Sequence, residues 1–194
     1  MRGATDARVP ETSGDAASEG GTGGAATRGY VFLTVGTQLH FDRLVAAMDA
    51  LAPSLGVPVV AQTGPGRGGW ANLDWAEGYD AARFDALAAG AHVIVGHAGI
   101  GTLLSARAHG RPAVLVPRRA ALGEHRNEHQ MATARALEGR PGVAVAWEAD
   151  ALEGLLRPLL ALPFADAGRA LAGTTAADTR PALIARLRAE IARA

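Results

Sequence analysis

Residues 92–117 constrain this chain more than any other stretch. A short apolar segment at 92–95 leads into Gly96-His97-Ala98-Gly99-Ile100-Gly101-Thr102. Residues 103–109 then read as a helix, and Gly110-Arg111-Pro112 ends it. A second apolar segment at 113–116 stops at Pro117. Strand, glycine turn, helix, strand is the βαβ unit of a parallel sheet, whose neighbouring strands need a crossover. The turn falls at the carboxyl end of one strand and the amino end of a helix. There the backbone N–H groups lack intrahelical partners and the helix dipole is positive. Gly99, Ile100 and Gly101 offer N–H groups to a ligand, and Thr102 adds a hydroxyl. Such a turn suits a diphosphate. Taken alone it fits plain turn geometry equally well, and the dinucleotide spacing Gly-x-Gly-x-x-Gly is missed because Leu104 stands where the third glycine would be.

The rest of the chain repeats the alternation. Apolar runs at 30–35, 57–62, 73–77 and 143–147 read as further strands, the first an uninterrupted YVFLTV of the kind covered on both faces. Helical spacing is expected at 41–55, where Phe41, Leu44, Val45, Met48 and Leu51 share a face, and at 80–89, 127–137 and 149–160. Six strands alternating with helices predict an α/β fold with a doubly wound, mostly parallel, Rossmann-like sheet, whose ligands bind at the carboxyl ends of the strands. Trp70, Trp75 and Tyr79 flank the glycine-rich loop at 63–69 and are expected to pack rather than to stack on a ligand. Residues 1–28, small and polar, are expected to be a disordered tail. Residues 29–160 form the main domain. Residues 161–180 look loose, and 181–194 are expected to be an amphipathic helix with Leu183, Ile184, Leu187 and Ile191 on one face.

Composition removes several function classes. Nineteen basic residues balance nineteen acidic ones, which speaks against a nucleic-acid partner held by bulk positive charge. There is no cysteine, hence no disulfide or thiolate chemistry. No run approaches roughly 18 apolar residues, and the first residues lack a signal-peptide core, so a cytoplasmic location is expected. His125 and His129 are four apart, but a zinc set needs a third ligand, and Arg126 breaks the His-Glu-x-x-His pattern. Ser105 lies inside a helix, away from any nucleophile elbow.

The motifs His97-Ala98-Gly99-Ile100-Gly101-Thr102, Gly110-Arg111-Pro112, Pro117 and His129-Gln130, in this order, closely resemble the donor-binding half of the family 28 glycosyltransferases, GT-B enzymes that use nucleotide sugars. Thr34-Val35-Gly36-Thr37 with Phe41-Asp42 resembles the family's opening motif, and the stretch 117–130 is similar to the single-domain PssE-like subunits of exopolysaccharide glycosyltransferases. The resemblance spans roughly residues 30 to 160. It implies a UDP-sugar donor, with Gly36 and Thr37 near the phosphates, the diphosphate against Gly99, Ile100, Gly101 and Thr102, and His97 beside the phosphate or sugar. It further implies that His129 and Gln130 bind sugar hydroxyls. Where the family carries a glutamate for the ribose, this chain has Ser105, whose reach is shorter. Arg118, Arg119 and Arg126 crowd the same loop, and any of them could pair with a carboxylate on a hexuronic acid. No cofactor or metal is implied.

The activity implied is inverting transfer of a hexose or hexuronic acid to a lipid-linked saccharide in polysaccharide synthesis. The general base is unassigned, with His97 the nearest choice. Because GT-B enzymes keep the acceptor site on their other half, a membrane-anchored acceptor-binding subunit is the expected partner, bringing the chain to the inner face of the cell membrane. Two rival readings stay open: a non-catalytic nucleotide-sugar-binding subunit that activates a membrane partner, and a Rossmann-type protein with another nucleotide ligand.

Overall fold

The structure, a computed structural model, describes residues 29–170. The expected tail at 1–28 and the expected terminal helix at 181–194 lie outside the described residues. Six strands appear in order: β1 (Tyr30–Thr34), β2 (Val59–Gln62), β3 (Asp74–Ala76), β4 (Ala91–His97), β5 (Ala113–Val116) and β6 (Val143–Val145). Between and after them come α1 (Asp42–Leu55), α2 (Ala81–Gly90), α3 (Ile100–Ala108), α4 (His129–Leu137), α5 (Leu152–Leu160) and α6 (Phe164–Ala170). The strands form one sheet in the order β3-β2-β1-β4-β5-β6, and every neighbouring pair is parallel.

Strand side chains alternate between two cores. Val31, Leu33, Val93, Val95, Val114 and Val116 face Leu44, Val45 and Met48 of α1 and Leu152, Leu155, Leu156 and Leu159 of α5. Phe32, Ile94, Leu115, Val143 and Val145 face Leu87 and Ala88 of α2, Leu103 and Ala106 of α3, and Ala134 of α4. A sheet covered on both faces needs apolar residues at every position, which explains the unbroken runs in the sequence. Each large side chain buried in this way stabilises the fold by about 1.5–3 kcal/mol. Trp70 and Trp75 pack against the first core. Tyr79 packs against the second and donates from its hydroxyl to the Ala61 carbonyl at 3.3 Å.

Two expectations are corrected. Helix α3 begins at Ile100 rather than 103, because the glycine turn itself enters the helix and Gly99 is its N-cap residue. Residues 164–170, expected to be loose, form α6. Its first residue is held firmly. The Phe164 ring meets His92 edge to face at 5.8 Å, and the Arg111 guanidinium lies 3.6 Å from the Phe164 ring centroid.

Candidate functional site

The strand order reverses direction between β1 and β4, and ligand crevices of open α/β sheets open at such a point. Register sets what meets there. Thr34 pairs with Gly96, and His97 pairs with Val116. The residues just after β1, the end of β4 and the residues just after β5 therefore arrive level with one another. They enclose a cavity of about 340 Å³. Its walls are Val35, Gly36, Thr37, Gln38 and Leu39 from the first loop, His97 from β4, and Arg118, His125 and Gln130 from the segment joining β5 to α4. No carboxylate is among them.

His97 is fixed by glycines. A Cβ at Gly99 would stand 2.3 Å from its Nε2, and one at Gly36 would stand 3.4 Å from its Cε1. Gly36 has φ +77, a conformation open to glycine at little cost. Burial, chiefly, and then the Arg118 guanidinium push the His97 pKa down to about 4. The Thr34 carbonyl opposes the shift without closing a well-formed hydrogen bond, since Nδ1 is buried with no partner. The ring is thus neutral at pH 7. It contributes a hydrogen-bonding edge and no charge.

Arg118 supplies the charge. It is 4% exposed, and its Nη2 donates to the carbonyls of Val35 and Leu39, both at 2.7 Å. Desolvation lowers its pKa and nearby Glu124 raises it, but a guanidinium stays protonated at any working pH. Its backbone N–H donates to Oε1 of the buried Gln130 at 3.1 Å. That bond fixes the amide orientation of Gln130 and leaves its Nε2 for a ligand. His125 lines the same cavity, with Nδ1 turned to the backbone of Asn127.

Five of the residues singled out in the sequence therefore share one cavity: Gly36, Thr37, His97, Arg118 and Gln130. Gly99 abuts it through His97. The others lie outside its walls. Ile100 and Gly101 are exposed in the first turn of α3, and a Cβ at Gly101 would meet nothing within 4 Å. Thr102 is buried with its side chain against Gly96, and Ser105 is half-buried on α3. The three arginines of this stretch lie in different places. Arg119 turns away, donating to the Trp147 carbonyl at 2.8 Å and pairing with Glu148. Arg126 is exposed on the surface. His129, expected in the crevice, is exposed at the start of α4. One step along a helix turns the side chain by more than a quarter of a circle, so His129 and Gln130 point in different directions.

Sequence reasoning missed Gln38, Leu39 and His125 as cavity residues. His125 carries a signal, an imidazole in the loop between Pro117 and Gln130, although its four-residue spacing from His129 points toward a metal instead. Among the described residues no cluster of three metal-ligating side chains occurs, and no helix is long and apolar enough to cross a membrane.

A family model described as the glycosyltransferase family 28 C-terminal domain matches residues 30–155, more than half of the chain. Among solved structures, the chain is similar to the glycotransferase of kitacinnamycin, with a TM-score of 0.51 and 18% identity, over 93% of this chain and 42% of that one. It is also similar to the spinosyn forosaminyltransferase SpnP, with a TM-score of 0.50 and 22% identity, over 86% of this chain and 44% of that one. At such identities the likeness is one of fold, and the chain spans less than half the length of either structure. No curated protein matches the chain.

Proposed function

The chain belongs to glycosyltransferase family 28, whose C-terminal domain it matches across residues 30–155, and from this premise we propose that it binds the nucleotide-sugar donor of a hexosyl transfer in the cavity between β1, β4 and β5. The observation that carries this reading is the cavity's make-up. It lies at the switch point of the sheet, its walls hold a buried guanidinium, and they contain no carboxylate. An anion bearing hydroxyl groups fits those walls, and a sugar diphosphate is such an anion.

In this reading the diphosphate lies between the loop at Gly36 and Thr37, the Arg118 guanidinium and the free N–H groups at the start of α3, which has no side-chain cap. Preorganised donors of this kind stabilise the charge that grows on a departing nucleoside diphosphate. His97 offers its neutral ring to a phosphate or sugar oxygen. Gln130 offers its Nε2 to a sugar hydroxyl. The resemblance favours UDP as the nucleotide, a hexose or hexuronic acid as the sugar, inversion at the anomeric carbon, and a lipid-linked saccharide as acceptor in polysaccharide synthesis.

The low basicity of His97, with its pKa about 4, makes it a poor base for an acceptor hydroxyl. That favours a base other than His97, which we place on an acceptor-binding half supplied by a membrane-anchored subunit. The same observation supports the rival reading of a donor-binding subunit that performs no chemistry itself. Calorimetry with UDP, dTDP and GDP, followed by transfer assays with their sugars, tests the proposal. Tight binding of one nucleoside diphosphate and donor turnover in the presence of a membrane fraction are expected. A chain that binds none of the three is not a donor-binding domain.

A further inference from the structure

Two arginines and one carboxylate are packed at and behind the cavity wall, and their charges do not cancel. Glu124 is 7% exposed. Arg43, from α1, grips both its oxygens: Nε donates to Oε1 at 2.7 Å and Nη2 to Oε2 at 3.0 Å. The same Nη2 donates to the Pro117 carbonyl at 3.0 Å, and the Arg119 N–H adds a bond to Oε2 at 2.9 Å. The carboxylate thereby accepts three hydrogen bonds. Arg118 stands close by, but its Nη2 meets only the neutral carbonyls of Val35 and Leu39. The ring of buried Phe41 lies beside both guanidiniums, its centroid 5.2 Å from that of Arg43 and 5.0 Å from that of Arg118. Arg43 and Glu124 make a neutral bidentate pair. Arg118 is left with one positive charge, buried at the wall of a cavity without carboxylates.

Resting on the donor-pocket reading above, we propose that Arg43 is a positioning residue that occupies Glu124 and so leaves the charge of Arg118 to an anion in the cavity. Without Arg43, the Glu124 carboxylate, which already favours the charged form of Arg118, would be uncompensated and would compete with the ligand for it. A charge a few ångströms away in a partly buried site matters far more than one in water. The pair would then do more than brace α1 against the loop after β5.

Titrations of the full chain with inorganic pyrophosphate and with UDP, at low ionic strength, separate the two roles. Four proteins are compared: wild type, Glu124→Gln, Arg43→Met and the double variant, each checked for a cooperative thermal transition. Removing the carboxylate alone is expected to tighten pyrophosphate binding about threefold, and removing Arg43 alone to weaken it about tenfold. The double variant is expected to return close to wild type. A brace makes the opposite forecast: Glu124→Gln binds more weakly, and the double variant is no better than Arg43→Met. Either result overturns the proposal. Should Arg43→Met fail to fold, the direction of the Glu124→Gln change decides. If pyrophosphate follows the expected pattern while UDP binds no better than pyrophosphate, the charge arrangement holds and the nucleotide reading falls. If UDP binds equally to all four proteins, the donor reading stands and this proposal falls. If wild type binds neither probe, both fall.

Discussion

The imidazole of His97 rests on the backbone of Gly99, where an added Cβ would stand 2.3 Å from Nε2 and 2.7 Å from Cδ2. Side-chain carbons do not approach that closely, so the absence of a side chain at 99 is what lets the ring lie where it does. The contact joins the cavity to the first turn of α3. It also gives the glycine motif a role that spacing alone did not reveal: Gly99 makes room for a histidine as well as for a ligand.

Gly99→Ala is therefore expected to push the His97 ring out of place while leaving the sheet intact. Affinity for a nucleoside diphosphate should fall at least about tenfold, the equivalent of roughly 1.4 kcal/mol, with little change in melting temperature. Calorimetry on the folded variant checks this. Unchanged affinity would mean that the ring position does not matter to the ligand.

Gly101 differs, because its Cβ would meet nothing within 4 Å. Gly101→Ala should raise stability by about 0.5–1 kcal/mol, since glycine is the poorer helix former. Gly101→Val tests whether the diphosphate crosses the start of α3. The variant should fold and lose donor affinity, and a folded variant that binds UDP like wild type would place the diphosphate elsewhere in the cavity.

Acid sensitivity follows from His97. Unfolded, it takes up a proton near pH 6.5; folded, only near pH 4. Between those values the unfolded chain binds more protons, so stability is full above about pH 6.5 and falls as pH drops toward 4. His92, whose pKa burial also lowers, adds to the same trend. Denaturation midpoints measured across this range should fall with acidification, and His97→Gln should flatten the slope without abolishing it. A variant with the wild-type slope would show that the ring is not held unprotonated.

The sheet was legible because burial on both faces wrote each central strand as a run of apolar residues, and because parallel strands force helices between them. The meeting of Gly36, His97 and Arg118 was legible for the same reason, since all sit at or just after the carboxyl ends of adjacent strands, and Gln130 follows on the helix that leaves the third of them. What could not be read were the long-range ties. Arg43 lies 81 positions from Glu124, and Arg119 lies 29 from Glu148. A charged residue in a loop looks the same in sequence whether it lines a cavity, like Arg118, or turns away, like Arg119. Helix α6 was missed because its sequence is short and alanine-rich, and its anchor is the contact of Phe164 with His92 and Arg111 rather than any periodic stripe.

Of the three arginines after Pro117, only Arg118 reaches the cavity. If the donor sugar bears a carboxylate, Arg118 is, of these three, the side chain placed to meet it in addition to the diphosphate. UDP-glucuronic acid is then expected to bind about tenfold more tightly than UDP-glucose, as a charge-assisted contact would give. Arg118→Lys should shrink that preference, and Arg126→Ala should leave it unchanged. Equal affinity of wild type for the two sugars in competition assays would remove the hexuronic acid from the proposal.

The last expectation concerns the acceptor. The cavity supplies donors for a diphosphate and for sugar hydroxyls, and its one buried imidazole is too weak a base to deprotonate an alcohol efficiently, with a pKa of about 4. Transfer by this polypeptide should therefore depend on groups from an acceptor-binding half, which we place on a membrane-anchored subunit. With a UDP-sugar and a lipid-linked acceptor, the purified chain should bind donor yet transfer little. Addition of membranes containing the complementary subunit should raise the rate by orders of magnitude, because a positioned base and acceptor contribute on the order of a hundredfold or more. Gly99→Ala should lower the restored rate at sub-saturating donor about tenfold if this chain supplies the donor site of the complex. Robust transfer by the purified chain alone, with no second polypeptide, would show that the acceptor site and the base lie within these residues after all.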